Sequence, residues 1–326
     1  MTEPLIWVLI GERTGDNNQA LALAEALGTP FEVKKLHYNL LQALSVWLPP
    51  TAATMTKAAR AGLQAPWPDL VIAIGRRSVP VARWIKRQNE GRTKLVRIGH
   101  PRIDPKLFDL VVTTRQYPVP PGTNVVLLPV AMSRHLEPLA PTAAESEWLA
   151  AAPAPRTLVA IGGATKYWTL PTERIERIVD ASPPGKSLIV VTSRRTDPAL
   201  VGRLREITQG NPDLRLVDGP SPRFAVLMDA ADEIFVTGDS VSMLSEAVLT
   251  GKPVALIPIV QDEKGRRALG LEPRETGPNA RRRDLRRFWN HLIDEGMIGT
   301  SEDGPKRAAT IPNPNRIAAD AVRRLL

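Results

Sequence analysis

Between Glu233 and Ile259 the chain reads EIFVTGDSVSMLSEAVLTGKPVALIPI, and its hydroxyls, carboxylates and glycines are spaced for chemistry on a phosphate. A short apolar run, Ile234–Val236, leads into the polar turn Thr237-Gly238-Asp239-Ser240. A helical pattern carrying Ser242, Ser245 and Glu246 follows, stopped by Gly251-Lys252-Pro253, and a second apolar run begins at Val254. Such a strand–helix–strand unit aims the unpaired N–H groups of a helix start past the C-terminal edge of a parallel sheet, a ready site for an anion. Glu246 lies one to two turns further in, where a carboxylate can accept hydrogen bonds from ribose hydroxyls. The pattern predicts binding of a nucleoside diphosphate that carries a sugar. A capped helix with no ligand is the competing account, since Asp239 and Ser240 are both good N-cap residues.

Two more loops repeat the theme. Ile161-Gly162-Gly163-Ala164-Thr165-Lys166 follows an apolar run, with paired glycines that allow close backbone approach and a lysine that adds charge. Thr192-Ser193-Arg194-Arg195-Thr196 follows the next, and guanidinium forks match phosphate oxygens. Each has a plain alternative, a tight turn in one case and solvated arginines in the other. The three loops follow the first, second and fourth strands of one predicted sheet, so they open onto one edge. Neither GxxxxGK[ST] nor GxGxxG occurs, which excludes a P-loop and a dinucleotide fingerprint. No DxD pair is present to hold a divalent metal beside a sugar nucleotide. A departing diphosphate is therefore expected to be stabilised by helix starts and by Lys166, Arg194 or Arg195, without metal.

Earlier in the chain, Gly11-Glu12-Arg13-Thr14-Gly15-Asp16 ends a first apolar run, and Asp16 reads either as a helix N-cap or as a group of the acceptor site. Gly75-Arg76-Arg77-Ser78 offers another anion-binding loop. Gly99-His100-Pro101-Arg102 follows the next strand, which makes His100 the first candidate general base, against the alternative of a structural histidine in a proline turn. Asp16 and His100 are thus the catalytic candidates. The arginine-rich stretch Arg281–Gly296 carries Phe288, Trp289 and Leu292, an apolar stripe that fits membrane-surface or partner docking as well as it fits an ordinary half-buried helix.

These residues need a scaffold that delivers them to sheet edges. Apolar runs at Leu5–Ile10, Phe31–Leu36, Leu70–Ile74, Lys94–Ile98, Leu110–Thr113 and Val125–Leu128 alternate with helical patterns at Asn17–Leu27, Thr54–Leu63 and Val79–Gln88. A second alternation has strands at Thr157–Ile161, Ser187–Val191, Leu214–Val217, Ile234–Val236 and Val254–Ile259, with helices at Thr172–Ala181, Pro198–Thr208, Arg223–Ala230 and Val241–Thr250. Basic Ala280–Glu295 and the last helix, Arg316–Leu326, follow. Short, fully apolar strands between helices mean parallel sheets covered on both faces. The expected fold is α/β, with two doubly wound Rossmann-like domains facing a cleft. Residues 1–150 form the acceptor-side domain, 151–310 the donor domain and 311–326 a helix packing back on the first. The proline-bracketed, alanine-rich stretch around 138–156 is the expected linker.

With 326 residues the chain is long enough for two cores. A net charge of +9 points to an anionic partner. With 5% aromatic residues a base-stacking platform is not expected, and nucleic acid is set aside. The absence of cysteine excludes disulfides, thiolate nucleophiles and cysteine-bound zinc. The start, MTEPLIWVLIGERTGD, reads as a first strand and not as a secretory signal, which fits a cytoplasmic protein.

The segments GDNNQALALAEALG, GRRSVPVARWIK, FDLVVTTRQY, GGATKYW and TGDSVSMLSEA together resemble the "elongated mitochondria" mitochondrial-fission family, in its bacterial branch. The resemblance runs from Gly11 to about Leu256. The GDSVSMLSEAVLTGKPV stretch is also similar to the donor segment of GT-B glycosyltransferases, notably the enzyme that adds GlcNAc to lipid I. The resemblance implies a GT-B fold and a sugar-nucleotide ancestry. In it Glu246 holds the donor ribose, Ser242 and Met243 present backbone to the diphosphate, and Gly162 and Gly163 form the first donor loop. Plant members of the family recruit a dynamin-like protein to mitochondria, whereas bacterial members have no such organelle to divide. The expected activity is metal-independent glycosyl transfer from a nucleoside-diphosphate sugar, taken as UDP-linked, to an acceptor that is lipid-linked at the inner membrane face. That sugar nucleotide is substrate, and no cofactor is expected. A non-catalytic adaptor that keeps the fold and a non-hydrolysing sugar-nucleotide epimerase stand as alternatives.

Overall fold

The computed structural model describes residues 3–12, 14–44, 48–273 and 282–326, and the chain divides into two compact units. The first comprises Met1–Arg134 and Pro312–Leu326. Its strands are β1 (Ile6–Ile10), β2 (Phe31–Lys35), β3 (Leu70–Ile74), β4 (Lys94–Ile98), β5 (Leu110–Thr114) and β6 (Val125–Leu128). They pair in parallel in the order β2-β1-β3-β4-β5-β6. β1 is buried at all five positions, as its unbroken IWVLI predicts for a strand covered on both faces. Helices α1 (Thr14–Leu27), α2 (Lys57–Ala61) and α3 (Val79–Gln88) connect the strands.

The chain returns to this unit at its end. The helix Pro314–Arg323 lies beside α1, and Ala318, Ala319 and Val322 join Ala20, Leu23 and Ala24 in one core layer. Small residues on both helices allow that close approach. Asn315 seals the crossing by exchanging two hydrogen bonds with the Ser133 backbone, at 3.2 and 2.7 Å. The opposite face of the sheet is covered by α3 and by a tryptophan cluster in which Trp67 meets Trp7 and Trp84 at ring distances of 5.9 and 5.6 Å.

The second unit, His135–Ile311, contains α4 (Ala143–Ala150), β7 (Arg156–Ala160), β8 (Trp168–Thr169), α5 (Thr172–Asp180), β9 (Ser187–Val191), α6 (Pro198–Thr208) and β10 (Leu214–Val217). It continues with α7 (Phe224–Ala230), β11 (Glu233–Thr237), α8 (Val241–Leu249), β12 (Val254–Ile257), β13 (Val260–Gln261), α9 (Glu263–Leu269), α10 (Leu285–Asp294) and β14 (Gly299–Thr300). The helix at the chain end is α11. The main sheet is parallel in the order β10-β9-β7-β11-β12-β14, and β8 pairs with β13 in a separate antiparallel ribbon.

The alanine-rich stretch expected as a linker is a docked element of this unit. Thr142 and Glu145 form a capping box at the start of α4, and the buried Glu145 carboxylate takes the Arg223 guanidinium at 2.5 and 2.8 Å. The basic helix is also shorter than its composition suggests. Asp284 caps it by accepting from the Arg286 amide at 3.1 Å, so the helix begins at Leu285, and the predicted start at 280–281 lies outside the described residues. No described helix is long and apolar enough to cross a membrane.

Candidate functional site

In a doubly wound sheet the crevice forms where successive connections leave the first strand in opposite directions. In the second unit that point lies between β7 and β11, which are hydrogen-bonded neighbours with β9 and β10 to one side. The loops after β7, β9 and β11 meet there. Thr237, the last residue of β11, accepts from the Gly162 amide through Oγ1 at 2.7 Å and donates to Asp239 Oδ1 at 2.7 Å. Asp239 Oδ2 accepts from the Gly163 amide at 3.2 Å and meets the Arg195 guanidinium at 2.6 Å. Thr196 closes the ring by donating to the Gly162 carbonyl at 2.7 Å and to the Ile161 carbonyl at 3.1 Å.

This network engages four of the residues that the sequence singles out, Gly162, Gly163, Arg195 and Asp239. The Gly162 and Gly163 amides point at protein oxygens, so they are not free for a phosphate. Their lack of side chains serves the packing between loops. A Cβ on Gly162 would lie 2.2 Å from the Asp239 carboxylate, and one on Gly163 would lie 1.8 Å from the Arg195 carbonyl oxygen. Asp239 is fully enclosed and carries an ion pair, so it braces the floor of the crevice. Arg195 neutralises it.

What remains open lies above that floor. Ser240 caps α8 by accepting from the Met243 amide at 3.3 Å, while the Val241 and Ser242 amides carry no hydrogen bond among the described residues. Those two N–H groups and the partial positive charge of the helix start leave donors available to an anion. Arg194 is exposed and has no partner among the described residues. Lys166 is exposed, with its ammonium 5.0 Å from the centre of the Tyr167 ring. Ser245 is buried against the sheet.

Glu246 is the outlying group. It sits half-buried on α8 and has neither a hydrogen-bond nor an ion-pair partner among the described residues. Burial raises its pKa from the usual carboxylate range to about 7. An uncompensated, desolvated carboxyl costs stability unless something outside the protein pairs with it.

Trp289 was not foreseen as part of this region. Its indole N–H donates to the Gly238 carbonyl at 3.0 Å, and the ring lies so close that a Cβ on Gly238 would be 2.7 Å away. Trp289 also meets Trp168 edge-on at 5.2 Å, with Arg286 stacked over Trp168 at 5.6 Å. The apolar stripe Phe288, Trp289 and Leu292 is therefore core of this unit and is not presented for docking. Its function is to hold the β11–α8 turn from below. A glycine after a strand was the one signal in the sequence that something must approach closely there.

In the first unit, His100 is placed differently from a general base. Its Nδ1 accepts from the Arg102 amide at 2.8 Å, which leaves the proton of the neutral ring on Nε2. Burial, Arg102 and Arg97 lower its pKa from 6.5 to about 4. The ring is thus a neutral donor at physiological pH, with its one basic nitrogen already occupied. Asp16 lies inside the first turn of α1, so it is not the N-cap, and it has no hydrogen-bond or ion-pair partner among the described residues. Asn17 ties the loop instead, by exchanging hydrogen bonds with the Gly11 backbone at 2.9 and 2.8 Å. Arg13 of the same loop lies outside the described residues. No group of three or more His, Asp or Glu side chains is disposed to hold a metal among the described residues.

A family model described as mitochondrial fission ELM1 matches residues 14–324. The mitochondrial fission protein ELM1 of Arabidopsis thaliana is 30% identical over 222 residues, covering 58% of this chain and 51% of that protein, so the chain spans about half the length of that relative. Among solved structures, UDP-GlcNAc 2-epimerase from Neisseria meningitidis bound to UDP-GlcNAc superposes with a TM-score of 0.56 at 13% identity, covering 98% of each chain. The calicheamicin glycosyltransferase CalG4 gives 0.51 at 14% identity, covering all of this chain and 90% of that one. These likenesses show a GT-B-like α/β fold of two domains with parallel sheets.

Proposed function

The chain belongs to the mitochondrial fission ELM1 family, and from that premise we propose that its second unit binds a nucleoside-diphosphate sugar, UDP-linked, and uses it for metal-independent glycosyl transfer. The observation that carries the proposal is Glu246, a partnerless carboxylate on the helix whose open N-terminus stands at the switch point of the sheet. Ribose hydroxyls donate to that carboxylate, and the diphosphate takes the Val241 and Ser242 amides. Solved neighbours of the same fold are named as UDP-sugar enzymes, which supports the choice of ligand.

The reaction forms a bond from an acceptor hydroxyl oxygen to the anomeric carbon and breaks the bond from that carbon to the β-phosphate oxygen. Charge develops on the departing diphosphate, where the α8 N-terminus, Arg194 and Lys166 stabilise it. The proton of the attacking hydroxyl passes to a general base; His100 has no free basic nitrogen, and Asp16, without a hydrogen-bond or ion-pair partner among the described residues, is the remaining sequence candidate for that part. The acceptor, lipid-linked at a membrane face that the protein meets peripherally, completes the reading.

Thermal stabilisation by UDP, GDP and CMP tests the binding step. UDP is expected to raise the melting temperature, and Glu246→Ala to weaken UDP binding by about 10- to 100-fold, as loss of hydrogen bonds to a charged group predicts. No response to any nucleotide would refute the proposal and favour an adaptor. A second reading, epimerisation of the donor alone, is favoured by the UDP-GlcNAc 2-epimerase neighbour. Incubation with UDP-GlcNAc and no acceptor separates the two, since only an epimerase converts it.

A further inference from the structure

The loops that follow β1 to β5 in the first unit gather a second set of charges that the nucleotide reading leaves unused. Arg97, on β4, is 2% exposed. It donates to the Gly75 carbonyl at 3.0 Å, the Ala73 carbonyl at 3.5 Å, Ser78 Oγ at 3.2 Å and the His100 carbonyl at 3.1 Å. No carboxylate pairs with it among the described residues, and its Nε has no partner. Burial lowers its pKa to about 10, which still leaves it charged at neutral pH. The Asp16 carboxylate offsets part of this charge from a distance without pairing with it, and a buried cation with no bonded counter-ion is costly. It holds the loops after β3 and β4 in place and sets a standing positive potential beneath them.

Those two loops turn through Gly75 and Gly99, at φ 81° and 77°, and carry further arginines. Arg76 and Arg102 are exposed without a carboxylate partner among the described residues. Arg77 meets Glu12 at 3.1 Å, a pair 40% and 69% exposed that an incoming anion can displace. β1 and β3 are neighbours with β2 on the far side, so this edge is the switch point of the first sheet, where ligands sit in such folds. Gln116, just after β5, is 4% exposed with no partner for its Oε1.

We propose that this edge is an anion site in its own right and takes a phosphoryl group, with Arg76, Arg77 and Arg102 as direct ligands and Arg97 as the positioning residue. Several guanidinium forks on two loops offer more donors than the two oxygens of a carboxylate require, and they suit the three oxygens of a phosphoryl group. The site stands independently of the donor assignment. Where that assignment holds, it adds that the second substrate is phosphorylated.

Hydrogen–deuterium exchange on the full chain with inorganic pyrophosphate tests it. Slower exchange is expected across residues 75–79 and 99–103. The Arg76→Gln, Arg102→Gln double variant, at exposed positions that leave the core intact, is expected to weaken pyrophosphate binding at least tenfold. Arg97→Lys should retain more of the protection than Arg97→Gln, whereas a purely structural arginine would fail equally in both. Geranyl diphosphate discriminates the source: protection equal to that from pyrophosphate assigns a free phosphoryl compound, and tighter binding that also protects the exposed Leu40 and Leu41 assigns a lipid-linked one. Unchanged exchange at both loops, or protection indifferent to the double variant, overturns the proposal. Glu246→Gln should leave these signals intact, and failure of the wild-type chain to bind UDP would reject only the donor assignment.

Discussion

Burial of Glu246 makes the stability of the protein depend on pH. Its pKa of about 7 in the folded chain lies above the ordinary carboxylate value of 4.5 because burial disfavours the charge. Between those values the folded state binds more protons than the unfolded one, so this group makes the free protein less stable as pH rises from 4.5 through 7. Glu246→Gln is therefore expected to stabilise the ligand-free chain above pH 7, by on the order of 1–3 kcal/mol, and to change little below pH 4.5. Ribose hydroxyls favour the ionised form, so UDP affinity should fall as pH drops below 7, and the Gln variant should flatten that dependence. Calorimetric melts and titrations at pH 6 and pH 8 read both effects. For His100 the burial works the other way: with its pKa lowered to about 4, its imidazole is expected to show no titration between pH 5 and 8 by NMR and to stay in the Nε2–H form. A midpoint near 6.5 would show that the hydrogen bond from Arg102 does not hold in solution.

At the scale of elements, three loops are one object. The Thr237, Asp239, Arg195 and Thr196 bonds join the ends of β7, β9 and β11 across 34 to 77 residues of sequence. Gly163→Ala is expected to destabilise the unit by roughly 2–4 kcal/mol, because a Cβ 1.8 Å from the Arg195 carbonyl must push one loop off the other. The same variant should weaken nucleotide binding; a melting temperature within a degree of the parent would contradict the packing account. The strands were legible in the sequence because parallel strands covered on both faces are unbroken apolar runs, and IWVLI or LVIAI reads no other way. The two-residue strands β8, β13 and β14 and the short helix α9 were not, since so few residues carry no periodicity. The loops were legible as glycine- and hydroxyl-rich turns. Their internal roles were not, because nothing in Gly162-Gly163 announces that a carboxylate 76 residues away fills the space above it. Trp289 was invisible for the same reason: its partner Gly238 lies 51 residues earlier.

At the scale of the whole molecule, the chain repeats one design with two different fillings. Each unit has a parallel six-stranded sheet with a switch point beside its first strand. In the second unit the crevice floor is neutralised internally by the Asp239–Arg195 pair, leaving a helix start and a lone carboxylate unpaired above it. In the first unit a buried arginine stays without a carboxylate partner among the described residues. The α11 helix makes the first unit depend on both ends of the chain, so removal of Pro312–Leu326 should expose the α1 face and destabilise that unit.

In the proposed reading the second unit cradles the diphosphate and Glu246 holds the pentose. Backbone exchange of the full chain with saturating UDP, for wild type and Glu246→Gln, tests it most directly. Protection is expected to centre on residues 238–246, present in wild type and strongly reduced in the variant. Protection absent from that segment, or identical in the two proteins, would contradict it.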